Sequence, residues 1–294
     1  MADTIEQADI RGLDIDKVVK GFGKFEYIFK SDCAVSTTTG DSMRWYSRTA
    51  TDLTATTPSR VANVAPLATP VTLEQSWSRH TSYTRKYMAE CFISIEDLRT
   101  ADIDVLAGQL QALTRAVTKQ VDSRIFNIVT KSLAGANTAA TDINVITTSG
   151  AWDETGANAC NPFRDILEAK RVIWTSGGYN AEGSSLWLSP QDYSNLLAYM
   201  INVKGANIPG YTSSKIDSGV VMNFLGLNVR VSENVTADYA VVVKPQVACT
   251  WKTAVGLTSG VVDDVGLGKK IRVWEDGEAL LTDPKAVCLI SNTQ

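Results

Sequence analysis

"VLAGQLQALTRAVTKQVDSRIFNIV", residues 105 to 129, sets Leu106, Leu110, Leu113, Val117, Val121, Ile125 and Ile128 three or four positions apart. That spacing stacks them along one side of a 3.6-residue turn, so the stretch reads as a single helix. No proline interrupts it, and only Gly108 is a poor helix former. At ~1.5 Å per residue the rod measures roughly 37 Å, long for a globular domain. Gln111, Thr114, Arg115, Thr118, Asp122 and Arg124 fall on the opposite side. The pattern predicts a rod that lies on something rather than one wrapped in a core. It carries no metal-ligand or catalytic signature and reads as a scaffold helix.

Just upstream the period changes to two. Tyr83, Arg85, Tyr87, Ala89, Cys91, Ile93 and Ile95 alternate with Ser82, Thr84, Lys86, Met88, Glu90 and Ser94, which is strand periodicity. A strand over 81–95 would extend about 50 Å and project beyond its domain. Its expected partner is the segment around "DSMRWYSRTATDL", giving a two-stranded ribbon. Residues 34–69 are rich in Ser, Thr and Ala, with Pro58, Pro66 and then Pro70 as punctuation, and a flexible Ser/Thr/Pro tip to the ribbon is expected. An isolated ribbon is marginally stable in water, and exposed aromatic surface marks a protein contact. Trp45, Tyr46, Trp77, Tyr83, Arg85 and Tyr87 are therefore the candidate intersubunit contacts.

The rest of the chain is punctuated more conventionally. Residues 13–30 read as an arm with a short helix through Val18, Val19, Phe22, Phe25 and Phe29. After the rod, "INVIT" reads as a short strand. Asn161 caps a helix with Pro162 at its first position; Phe163, Ile166, Leu167, Val172 and Ile173 form its apolar side, and Gly177-Gly178 stop it. Strand "SSLWLS" leads to a second helix opened by Ser189 and Pro190, then a polar loop, "KGANIPGYTSSKIDSG". Strands "LNVRVS", "YAVVVK", "ACTWKT", "KIRVWE" and "AVCLIS" complete the chain, with Trp187 and Trp274 expected in the core.

Composition narrows the function. A chain of 294 residues has room for one or two domains with an ordinary core. Its charges are interspersed with a net of −4, so no basic stripe marks a nucleic-acid reader. Cys33, Cys91, Cys160, Cys249 and Cys288 lack any C-x-x-C and read as reduced thiols acting as small core hydrophobes. No run of 18 apolar residues and no signal-peptide pattern occurs, so a soluble protein with no membrane partner is expected.

His80 is the single histidine, which excludes the familiar zinc spacings. "GDSM" at 40–43 matches part of an esterase block, but the residue three before His80 is Trp77, where that family needs Asp. "GLGKK" at 266–270 has Lys270 where a phosphate loop needs Ser or Thr, and reads as a turn. Glu96-Asp97 reads as a helix start and Asp263-Asp264 as a turn. The expectation is a protein that is no enzyme and holds no cofactor or metal. The reading kept from another class is a cytosolic hydrolase using Ser42 or His80.

An arm, a long ribbon ending in "FISIEDLRTADID", the rod, then "LWLSPQDYSNLLAYM", "LGLNVRVSENV", "YAVVVKP" and a final strand after "DP" form an ordered set. This order resembles the major capsid proteins of tailed bacteriophages, the Hong Kong 97 (HK-97) fold, over nearly the whole chain. The resemblance implies an α+β HK-97-like capsid fold: N-arm 1–35, E-loop β-hairpin 36–92, P-domain 93–160 with the rod as spine helix, A-domain 161–267, and P-domain return strands 268–294. It implies a shell protein that assembles as hexamers and pentamers around double-stranded DNA, located in the virion and assembled in the host cytoplasm. The implied partners are itself, portal, scaffolding and decoration proteins, and packaged DNA through non-specific contact. Because the arm begins almost at Met1, a separate scaffold or none is expected. Lys86, the single E-loop lysine, lies near the ribbon base, and no crosslink is expected of it. The loop 204–219, with Lys204, Asn207, Tyr211 and Lys215, is the candidate for contacts around the capsomer axis. The alternative within the fold is an encapsulin-type compartment.

Overall fold

The computed structural model describes residues 18–21, 27–48, 65–69, 77–100, 105–134, 143–148, 150–153, 161–200, 223–264 and 266–294. Lys204, Asn207, Tyr211, Lys215 and Cys160 lie outside them. Strands β1 (Ala34–Thr37), β2 (Ser42–Arg48), β3 (Trp77–Tyr83) and β4 (Arg85–Ser94) come first, followed by helices α1 (Ile95–Thr100) and α2 (Val105–Val129). Strand β5 (Asn144–Thr147), helix α3 (Pro162–Gly177), strand β6 (Ser185–Leu188) and helix α4 (Pro190–Tyr199) form the middle. Strands β7 (Asn223–Phe224), β8 (Leu227–Val231), β9 (Tyr239–Val243), β10 (Cys249–Asp264), β11 (Gly268–Leu281) and β12 (Val287–Ser291) end the chain.

The chain divides into two compact units. The first comprises Met1–Met43, Ser82–Phe126 and Thr250–Leu280. Its four-stranded sheet has the order β1-β10-β11-β4, with β1 parallel to β10 and β4 antiparallel to β11 from Gly268↔Ser94 to Gly277↔Arg85. Val19, Ile93, Leu110, Leu113, Val117, Leu257, Ile271 and Val273 form its core, so the apolar side of α2 packs with residues of β4, β10 and β11.

Two expectations change here. Strand 81–95 is not continuous: it breaks at Thr84, whose N–H donates to Asp41 O at 2.9 Å. Only its first part stays with the ribbon, and β4 pairs along β11 instead. The polar side of α2 is solvated only in part: Arg115 is exposed, whereas Thr114, Thr118 and Asp122 are buried. Thr114 Oγ1 donates to Leu110 O (2.7 Å) and Thr118 Oγ1 to Thr114 O (2.9 Å), so each hydroxyl is satisfied by the preceding turn and can enter a core. Trp274 is half-buried rather than core; the wholly buried indole of this unit is Trp251.

The second unit comprises Arg44–Thr81, Asn127–Cys249 and Leu281–Gln294. Its six-stranded mixed sheet has the order β5-β12-β9-β6-β8-β7. Strand β12 runs parallel to β5 and antiparallel to β9; β6 runs antiparallel to β9 and parallel to β8. Strand β6 is buried at all positions, Trp187 included, which explains why "SLWL" shows no alternation. Ile166, Ala169 and Ile173 of α3 pack with Leu186, Leu188, Leu196, Val242, Cys288 and Ile290.

Helix α3 begins and ends as its caps require. Asn161 accepts the N–H of Arg164, Pro162 stands in the first turn, and Gly178 takes φ 69° at the C-cap. Gly177 is needed for a different reason: a Cβ there would stand 2.8 Å from Lys285 O. Helix α4 is opened by Ser189, whose side chain accepts the N–H of Asp192.

Candidate assembly interface

Strands β2 and β3 form a sheet of their own. Successive side chains of a strand point to opposite faces. One face is marked by Trp45 and His80, whose rings stack at 4.6 Å with planes 28° apart, and by Ser47, whose Oγ lies 2.8 Å from His80 Nε2. Ser47 is buried. Burial, with the positive charge of Lys131 next, pushes the His80 imidazole below its usual range. Trp45, Ser47, His80, Ile128 and Lys131 line a cavity of about 250 Å³. The hydroxyl beside His80 is therefore that of Ser47; Ser42, considered for a hydrolase, is exposed.

The other face carries Arg44 and Tyr46 from β2 and Trp77, Arg79 and Tyr83 from β3, all exposed. Tyr46, Trp77 and Tyr83 are 54%, 52% and 67% exposed, far more than aromatic side chains that a chain covers by itself. Trp45 differs, being half-buried under the His80 stack. The ribbon's end is fastened: Arg48 N–H donates to Thr282 O at 3.2 Å, and its guanidinium donates to Tyr179 Oη (3.0 Å) and pairs with Asp283 (3.5 Å).

Arg85 and Tyr87 belong to β4 and not to the ribbon. Tyr87 is half-buried with its ring 6.4 Å from that of Trp251, and burial, then the Glu278 carboxylate, pushes its phenol up to about 12. Arg85 Nε sits 3.1 Å from Glu278, which also accepts Arg124 Nε at 2.7 Å. Arg85 pairs within its own chain yet keeps an exposed side chain, while the Tyr87 ring turns inward.

A buried polar network in the first unit holds residues 27–33. Asp122 on α2 accepts the backbone N–H of Ile28 (2.7 Å), Phe29 (3.3 Å) and Lys30 (3.2 Å). Glu275 on β11, wholly buried, accepts from Lys30 Nζ, Tyr27 Oη and Trp251 Nε1. Burial and then Glu275 raise the Tyr27 phenol above its ordinary value. Sequence reading missed Asp122, Glu275 and Glu278, because an acid in an amphipathic pattern looks solvated until its partners are known. It also missed Arg44 and Arg79, which the alternation of "RWYSR" and "WSRH" would have placed beside the aromatic residues. Among the described residues no group of three His, Cys, Asp or Glu side chains is placed to hold a metal ion. No helix among them is long and apolar enough to cross a membrane.

A family model described as phage capsid protein matches residues 84–290, well over half of the chain. The chain belongs to that family. No curated protein matches this capsid protein, but solved structures do. The capsid of the cyanophage P-SCSP1u matches with a TM-score of 0.67 at 13% identity, over 90% of this chain and 88% of that one. A virus-like particle from Pyrococcus furiosus gives 0.63 at 11% identity, over 95% and 98%. A structure from Mycobacterium phage Che8 gives 0.57 at 14%, over 86% and 85%. At such identities the likeness is one of fold, and the fold is the α+β HK-97 capsid fold.

Proposed function

We propose that this capsid protein is the major component of the icosahedral head of a tailed phage, assembling through hexamers and pentamers into a shell around double-stranded DNA. The observation that carries the reading is the ribbon of β2 and β3, whose outer face leaves Tyr46, Trp77 and Tyr83 half or more exposed, in a chain of the phage capsid family. Such surface gains stability when a neighbouring copy covers it, and one modest contact repeated around a closed shell adds up through multivalency. The role is binding without catalysis.

In this reading residues 1–35 are the N-arm, 36–92 the E-loop, 93–160 and 268–294 the P-domain with α2 as spine, and 161–267 the A-domain. Lys204, Asn207, Tyr211 and Lys215 meet their counterparts around the capsomer axis. Portal, scaffolding and decoration proteins are further partners, and DNA is touched without sequence preference. The shell forms in the host cytoplasm and ends in the virion. The encapsulin-type compartment is less favoured, because the matching family model is that of phage capsids. Negative-stain microscopy of the purified protein tests the shell: closed particles are expected, and discrete small oligomers at all concentrations would end the reading. Nuclease-protected DNA in particles from infected cells, against an enclosed enzyme, separates the two shells.

A further inference from the structure

The ribbon's inner face plays no part in the contact proposed for its outer one, yet it closes over a cavity. Trp45, Ser47 and His80 come to that cavity from the ribbon, Ile128 and Lys131 from the end of α2 and just beyond it, and Pro284 from the turn after β11. All of them belong to the second unit. The volume is about 250 Å³. An apolar cavity of roughly 150 Å³ is enough for benzene, so a ring or short chain fits here with an acidic group besides.

The walls are of two kinds. Trp45, Ile128, Leu281 and Pro284 present apolar surface, where water finds none of the two to four polar partners it needs. The polar lining includes Ser47, His80, Asn127 and Lys131, and none of the described residues that line the cavity is Asp or Glu. Asp283, beside Pro284, is already engaged by Arg48, by the Tyr179 hydroxyl and by the N–H of Lys285. The charge brought to the cavity is therefore that of Lys131, and it is positive.

The backbone is bent where it delivers that charge. Lys131, Ser132 and Leu133 take φ of 49°, 50° and 59° in succession, a left-handed turn that L-residues adopt only at a cost. Strain of this kind persists where surrounding structure holds it, and it clusters at ligand sites. The turn leaves Lys131 close enough for His80 to feel its charge. Ser132, which also lines the cavity, is exposed, so the cavity opens to solvent at the turn.

We propose that this cavity binds a small monocarboxylate with an apolar body, its carboxylate between Lys131 and His80 and its ring or chain against Trp45, Ile128 and Leu281. Every contributing residue belongs to one copy, so the site exists with or without the shell. A carboxylate there offsets the repulsion that Lys131 exerts on an imidazolium, and His80 holds a proton more readily once the ligand is bound. By linkage the ligand binds more tightly as pH falls through the histidine range. It also ties the inner face of the ribbon to the end of α2 and stabilises the folded chain by mass action.

Equilibrium dialysis of radiolabelled benzoate against the purified full-length chain tests the site, assembled or not. Saturable binding of one benzoate per chain is expected, with a Kd of about 1 mM or tighter. Benzyl alcohol, which has the ring without the charge, should compete at least ~tenfold less well, and inorganic phosphate, which has charge without the ring, should not compete. Lys131→Met should weaken binding about tenfold or more. From about pH 8 down to about pH 5.5 benzoate stays ionised, and its affinity should rise roughly threefold or more. His80→Gln, which has no proton to gain, should abolish that rise. If either variant does not fold by circular dichroism, proton NMR of the single imidazole in the unaltered chain replaces it, and the midpoint should move up when benzoate is added.

No saturable binding up to ~10 mM would overturn the proposal. Equal competition by benzyl alcohol would leave an apolar cavity with no preference for anions, and unchanged affinity in Lys131→Met would put benzoate elsewhere; either result overturns it too. An imidazole midpoint that benzoate does not move would do the same. Failure of the chain to form particles, by contrast, bears on the shell reading alone.

Discussion

Asp122, in the C-terminal third of the long helix α2, accepts the backbone N–H of Ile28 at 2.7 Å across 94 positions of sequence. The same carboxylate takes the N–H groups of Phe29 and Lys30. One side chain thus satisfies donors that a buried, irregular segment would otherwise leave unpaired. Asp122→Ala strands them, and a buried donor without a partner costs about 1–3 kcal/mol. Thermal denaturation of the unassembled chain should show a drop of that order, smaller for Asp122→Asn, which keeps a carbonyl acceptor.

The same residue gives a pH dependence of defined sign. Burial pushes the Asp122 carboxyl from 3.8 up to about 6, against the pull of its backbone donors. Its folded value lies above its unfolded value, so the folded state binds the extra proton between pH 4 and 6. The stability from this group is fully present below about pH 4 and falls away as pH rises through 6, by an amount on the order of 3 kcal/mol. Asp122→Asn should flatten that part of the stability profile measured by urea unfolding; an unchanged slope would show that Asp122 does not set it.

His80 acts in the opposite direction. As its imidazole is held below the usual range by burial and Lys131, the folded state disfavours the proton. The contribution is intact above the unfolded value near 6.5 and is lost as pH falls through the lower folded value. The chain has one histidine, so its imidazole resonances can be followed by proton NMR without assignment. A midpoint below 6.5 is expected, returning toward 6.5 in Lys131→Met.

Two glycines separate backbone preference from packing. A Cβ at Gly277 would stand 2.6 Å from the Trp251 ring and 2.7 Å from Lys252 O. Gly277→Ala must displace a buried indole or a strand, and overpacking of this kind costs about 1–3 kcal/mol. Gly108, inside α2, has nothing within 4 Å of its Cβ position. Gly108→Ala should instead stabilise the helix by roughly 0.5–1 kcal/mol. Melting temperatures of the two variants should move in opposite directions.

What could be read from the sequence follows from how local each signal is. The period of α2, the Asn161-Pro162 start and Gly178 end of α3, and the Ser189-Pro190 start of α4 depend on residues within a turn or two, and the structure has each of them. The break at Thr84 was hidden, since alternation continues through it and the carbonyl that its N–H meets belongs to Asp41, 43 positions upstream. Pairing of β4 with β11 joins residues more than half the chain apart, from Gly268↔Ser94 to Gly277↔Arg85, and nothing local announces it. The ribbon's aromatic residues were legible by type; that Tyr87 turns inward against Trp251 while Tyr83 stays exposed was not.

The exposed ribbon supports the last prediction. Trp77 and Tyr83 are more than half exposed, on a sheet that comprises two strands among the described residues. Replacing either with Ser removes little that the single chain uses, so far-ultraviolet circular dichroism should be unchanged and the melting temperature of unassembled chain should move by no more than about 0.5 kcal/mol of equivalent stability. Aromatic side chains at the centre of an interface commonly contribute about 2 kcal/mol or more each, and every copy in a shell loses its share at once. The concentration needed for particle formation should therefore rise by more than tenfold, measured by light scattering. Normal particles with normal heat resistance from Trp77→Ser and Tyr83→Ser together would remove the ribbon from the interface.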